Sequence, residues 1–119
     1  ELLDLYPTLA EISGLEVPPH VEGESFAKVL ADPTVKAREA AFSEFSRGGG
    51  RGTSIRTGSH RYTEWRAMET NRLLARELYD LGDSQIEIAN LADDPNQKAL
   101  LESLSKLLAD RRDASFPAP

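Results

Sequence analysis

The 119 residues carry a formal charge of −6 and contain no cysteine. A chain of this length buries roughly two thirds of the surface its unfolded form exposes, so it has room for a core; the missing thiols remove disulfides, thiolate zinc sites and a cysteine nucleophile together. The acidic balance argues against a nucleic-acid partner, which needs a basic face.

No apolar run approaches the roughly eighteen residues of a bilayer span, and the start lacks a basic segment followed by an apolar one. Neither a membrane span nor an export signal is expected within the chain. It begins without methionine, inside an amphipathic pattern, which reads as a piece of something longer; processing would produce the same start.

In "DLYPTLAEISG" the residues Leu2, Leu5, Tyr6, Leu9 and Ile12 recur at helical spacing, with Asp4 as a cap, Pro7 in the first turn and Gly14 past the end. A short helix over about 5–13 follows. Pro18 and Pro19 force an extended link. Ser25 then caps a helix of one or two turns that turns Phe26, Val29 and Leu30 inward and ends before Pro33.

"AAFSEFS", residues 40–46, alternates in period two and reads as a strand, ended by the glycines at 48–50. With Gly58 and Ser59 as a two-residue turn, Thr57 opposes His60, Arg56 opposes Arg61, Ile55 opposes Tyr62 and Ser54 opposes Thr63. Ile55 and Tyr62 then share one face, and Arg56, Arg61 and Trp65 the other. Two arginines facing each other across a ladder repel, so an acidic group is expected beside Arg56 and Arg61, which are the structural ion-pair candidates.

"AMETNRLLA" has no clear period and reads as a connection, partly helical. "RELYDL", 76–81, is a further strand bounded by Gly82, Asp83 and Ser84. Asp94 and Pro95 begin the last helix, on which Leu100, Leu101, Leu104, Leu107 and Leu108 form one apolar stripe. Residues 113–119, "DASFPAP", read as a flexible tail after a subdomain spanning 1–112.

Taken in order, "DLYPTLAEISGL", "SIRTGSHRYTEW", "ELYDL" and "NLADDP" before an amphipathic helix resemble the C-terminal portion of sulfatases of the alkaline-phosphatase superfamily, most closely the iduronate-2-sulfatase-like group. The likeness runs over essentially the whole chain. It departs after "ELYDL", where an Asp-Pro pair is usual and this chain has "GDSQIE" at 82–87.

The resemblance implies an α+β fold: a small antiparallel sheet of about four strands packed against a C-terminal helix. It implies a parent that hydrolyses sulfate esters, plausible substrates being sulfated carbohydrates, with calcium and a formylglycine made from cysteine or serine in an N-terminal catalytic domain. The formylglycine motif does not occur in this chain. The expected partner is that N-terminal domain, with a sulfated small molecule or glycan bound by the parent. No cofactor is expected in this piece, which on its own is expected to be inert and to self-associate through its exposed interface. Sulfatases of this kind are commonly exported, periplasmic or lysosomal.

Individual motifs have plainer readings. His20 and His60 lie far apart without a carboxylate-rich metal spacing, and each reads as a surface or loop residue. "DLGDSQIE", 80–87, lacks the glycine and the final glutamate of a calcium loop and reads as a solvated turn. "RGGGRG", 47–52, lacks the order of a phosphate loop and reads as a mobile connection between strands. Its sharper reading sets Arg47 and Arg51 on a rim that leans toward a polyanionic sugar in the parent. Arg56 reads as a structural ion-pair centre beside Trp65, paired with a carboxylate of the sheet or of the neighbouring domain. A rival of a different class is a stand-alone interaction module, polar all round apart from a small docking site; a severed subdomain exposes a contiguous apolar patch instead.

Overall fold

The computed structural model describes residues 1–36, 38–82 and 86–115, with side chains as far as 111 in the last helix. The stretch read as one subdomain contains two compact units, Glu1–Glu39 and Ala40–Pro119.

The first unit opens on a 3-10 turn, Leu2–Asp4, that runs into α1, Leu5–Ile12. The helix stops where expected. Gly14 takes φ +68°, and the N–H groups of Gly14 and Leu15 donate to the carbonyls of Glu11 and Ala10, closing the last turn. Asp4 stands at the N-cap without making a cap bond. Its carboxylate instead accepts from the backbone N–H of Glu24 at 2.8 Å and from Arg38 at 2.6 Å. Ser25 Oγ accepts from the Ala27 N–H at 3.2 Å, but it is not the cap expected of it: α2, Ala27–Ala31, has Phe26 at its N-cap and no side-chain cap bond. The inward set there is smaller than expected, because a helix of little more than one turn covers one side only: Leu30 is exposed.

The second unit is a meander of four antiparallel strands, β1 Ala41–Arg47, β2 Gly50–Arg56, β3 His60–Ala67 and β4 Leu73–Asp80, in the order β1-β2-β3-β4. The α+β class expected from the resemblance is therefore the observed one. The register across the central hairpin is also as read: Ile55 opposes Tyr62, Arg56 opposes Arg61 and Ser54 opposes Thr63.

The glycine-rich stretch is tighter than a mobile connection. Arg47 pairs with Gly50, leaving only Gly48 and Gly49 in the turn, both with positive φ (55° and 78°), the backbone that lets strands twist together through two residues. β4 begins at Leu73, inside the stretch read as a connection. It is the last strand of the sheet, and Leu74, Ala75 and Arg76 are all exposed, so no period-two burial pattern marks it.

Asp94 caps the turn Pro95–Gln97 by accepting from the Asn96 N–H at 2.9 Å, and α3 follows, Lys98–Ser115. This helix continues into the stretch read as a tail, of which 116–119 lie outside the described residues. Leu101, Leu104 and Leu108 are buried against Ile55, Tyr62 and Leu78, with Phe42, Leu91 and Leu100 packed round them. Leu107, counted in the stripe, is 42% exposed because it falls on the flank of the buried row. Arg111 lies over the Phe42 ring, 5.6 Å from its centre, and closes the core toward β1.

Candidate functional site

Strand pairing decides which of the sequence's candidate residues meet. Ser46 opposes Arg51, and Arg51 opposes Arg66. The two guanidinium-bearing side chains thus stand side by side at the glycine-turn end, on the face that carries Ile55 and Tyr62 farther along. Arg47 opposes Gly50 and falls on the other face of the hairpin from Arg51.

Arg66 is firmly held. Its Nε and a terminal nitrogen donate to one oxygen of Glu64 at 2.9 and 2.8 Å, and its other terminal nitrogen donates to the Asn71 carbonyl at 3.0 Å. Arg51 is held loosely, 3.9 Å from Glu44 and 3.4 Å from the Asn71 side-chain oxygen. Asn71 thereby serves both arginines from the β3–β4 turn, where it takes φ +54°, a left-handed backbone that asparagine tolerates better than most residues. An open depression of about 510 Å³ beside this turn is lined by Gly49, Ala67, Met68, Glu69 and Thr70.

Behind the arginines sits the best-buried charge of the unit. Glu64 is 4% exposed and accepts from Tyr62 at 2.8 Å and from Ser105 of α3 at 2.7 Å, besides Arg66. Burial by itself raises its pKa, but the hydrogen bonds from Ser105, Tyr62 and Arg66 outweigh it and hold the carboxyl below the ordinary glutamate value. Burial, with this carboxylate alongside, pushes the Tyr62 phenol up to about 12.

On the opposite face Trp65 lies across Gly52, so close that an added Cβ would meet the indole ring at 2.9 Å. Its Nε1 donates to Glu77 at 2.9 Å. Arg61 pairs with Glu87 at 2.7 Å, while Arg56, directly opposite Arg61, is exposed.

His20 is exposed, and His60 Nδ1 shares a 2.9 Å hydrogen bond with the neighbouring Ser59. The acidic turn read at 80–87 falls partly on 83–85, outside the described residues. Among the described residues no group of three or more histidine, cysteine, aspartate or glutamate side chains is placed to hold a metal ion.

Sequence reasoning missed Glu64, Arg66, Asn71 and Ser105. One signal was present: the alternation that turns Tyr62 inward also turns Glu64 and Arg66 to that face. The other end of the contact, Ser105, is 41 residues away and becomes a partner only when α3 packs.

The family model described as "N-sulphoglucosamine sulphohydrolase, C-terminal" matches residues 1–114. No curated protein sequence matches the chain. Solved structures similar to it include the protein BT4656 in complex with its substrate D-glucosamine-2-N,6-O-disulfate, at 23% identity and a TM-score of 0.77, covering 92% of this chain and 23% of that one. The candidate sulfatase yidJ from Bacteroides fragilis is 21% identical with a TM-score of 0.79, over 96% of this chain and 25% of that one. A Bacteroides thetaiotaomicron protein, from a study of a locus for the metabolism of multiple glycosaminoglycans, is 22% identical with a TM-score of 0.65, over 85% and 24%. The chain spans about a quarter of the length of each of these structures.

Proposed function

The chain belongs to the family of N-sulphoglucosamine sulphohydrolase C-terminal regions, and we propose that it completes a sulfatase whose preceding domain cleaves sulfate esters of sulfated carbohydrate. The observation that carries this reading is the family match over 1–114. A structural relative solved with a doubly sulfated glucosamine supports the carbohydrate part, as does one from a glycosaminoglycan-metabolising locus. The iduronate-2-sulfatase-like subgroup rests on the ordered stretches "DLYPTLAEISGL", "SIRTGSHRYTEW", "ELYDL" and "NLADDP" before the amphipathic helix.

In this reading the chain supplies structure and one wall of the substrate cleft. Arg51 is its best candidate for touching sulfate, because a guanidinium with only long contacts retains donors for an anion, and Arg66 beside it adds positive potential. Arg47 would contribute from the other face of the hairpin. Calcium and formylglycine, which the resemblance to sulfatases implies, would belong to the preceding domain.

The test uses the full-length enzyme and D-glucosamine-2-N,6-O-disulfate. Sulfate release is expected from the full-length protein and none from residues 1–119 alone. Arg51→Ala and Arg47→Ala should raise KM with kcat little changed, the sign of lost ground-state binding. A full-length protein that releases no sulfate from sulfated sugars would sink the reading; unchanged KM in both variants would remove the wall.

A further inference from the structure

Arg51 and Arg66 face each other across β2 and β3, a pairing of like charges that is destabilising unless something negative stands beside it. The buried carboxylate of this face is already committed. One oxygen of Glu64 accepts from Tyr62 and Ser105, and the other accepts from Nε and a terminal nitrogen of Arg66. Arg51 is left with Glu44 at 3.9 Å, a surface contact of little strength at that distance, and with the Asn71 side-chain oxygen at 3.4 Å. Its guanidinium keeps most of its donors, beside a second cation that is fixed in place.

The two turns at this end of the sheet are tied together. The Met68 N–H donates to the Gly49 carbonyl at 3.0 Å, and the Asn71 N–H donates to the Ala67 carbonyl at 2.9 Å. Asn71 is thereby set with one oxygen toward each arginine, its carbonyl on Arg66 and its side chain on Arg51. The depression of about 510 Å³ beside these turns has the size of a small-ligand site. Gly49, Ala67 and Met68 give it apolar lining, and Glu69 and Thr70 supply acceptors for hydroxyl groups.

We infer that Arg51, backed by Arg66 and positioned by Asn71, binds a sulfo group of the substrate other than the one being hydrolysed. The inference rests on the sulfatase reading, in which calcium and formylglycine in the preceding domain take the reacting sulfo group. The anion that meets this chain is then a second substituent of the sulfated sugar. A sulfo group presents several oxygens, and the planar fork of a guanidinium meets two of them at once, so the contact depends on where the anion is fixed and not on charge alone. Asn71 touches no reacting atom; it is a positioning residue that sets the direction of the fork. The chain in this way reads sulfation pattern, because a doubly sulfated sugar gains a contact that a singly sulfated one lacks.

The test uses the full-length protein with D-glucosamine-2-N,6-O-disulfate and the two monosulfates, D-glucosamine N-sulfate and D-glucosamine 6-O-sulfate. KM is measured for each sugar that is cleaved and Ki for any that is not. The parent should hold the disulfate at least about tenfold more tightly than either monosulfate, the worth of one hydrogen bond to a charged group. Arg51→Ala should reduce that preference to less than about threefold. Asn71→Gly keeps the positive φ of the turn and loses only the side-chain oxygen, and should lower the preference by about threefold; it decides alone if Arg51→Ala fails to fold. A parent with no preference for the disulfate, or a preference undiminished in these variants, would overturn the inference and leave the sulfatase reading standing. Sulfate released from none of the three sugars would remove both.

Discussion

Ser105 of α3 and Tyr62 of β3 donate to the same oxygen of the buried Glu64 carboxylate, at 2.7 and 2.8 Å. Helix and sheet are thus joined through one charge that Arg66 balances from the other oxygen at 2.8 Å. Glu64→Ala strands the Tyr62 hydroxyl and a half-buried guanidinium, and should cost roughly 3 to 5 kcal/mol. Ser105→Ala removes one bond to a charged acceptor and should cost about 1.5 to 3 kcal/mol. Urea unfolding measures both; a Glu64→Ala midpoint equal to the parent's would refute the lock.

The same carboxylate gives stability an acid limit. The folded pKa of Glu64 lies below its ordinary 4.5, so the unfolded chain binds its proton first as pH falls. The contribution is full above 4.5 and disappears as pH drops through the lower folded value. Stability against pH in the acid range should therefore be flatter in Glu64→Gln than in the parent. Tyr62 acts at the other extreme, its contribution full below 10.0 and lost as pH rises through about 12.

Gly52 and Trp65 are neighbours across β2 and β3, and the indole occupies the space where a side chain would go. Gly52→Ala forces the ring aside and loosens its bond to Glu77, at an expected cost of about 1 to 3 kcal/mol. Trp65 is the only tryptophan, so its fluorescence reports the movement directly. An unshifted emission maximum in Gly52→Ala would contradict the packing.

Asn90 protects the outer strand. Its side-chain oxygen accepts from the Leu78 N–H at 2.9 Å and its amide donates to the Arg76 carbonyl at 3.1 Å, in place of a further strand. Asn90→Ala should lose about 1 to 3 kcal/mol and speed exchange at the Leu78 amide. If that amide keeps its protection, the side chain is not what shields it.

The pair of Arg61 with Glu87 is about one third exposed on both sides. Arg61→Gln should cost less than about 1 kcal/mol, and less again in high salt. A larger, salt-independent loss, read by thermal unfolding at two ionic strengths, would point to a burial this surface lacks.

Where local chemistry governs, the amino-acid order alone sufficed. The Gly58–Ser59 turn sets the register of Ile55 against Tyr62 and Arg56 against Arg61, because a two-residue connection leaves the ladder no freedom to slide. Asp94 and Pro95 start α3 for an equally local reason, a cap and a ring with no N–H to leave unpaired. Leu73–Ala75 escaped notice because an outer strand carries no burial period, and Glu64 because an acidic residue inside a core is tolerable only once its donors are in place. Those donors come from β3 itself and from α3, 41 residues on. The spacing of α1 announced an apolar face; only the fold could show that its own unit buries Pro7, Thr8 and Ala10 and leaves Leu9 and Ile12 exposed, since burial follows from what surrounds a helix and not from the helix.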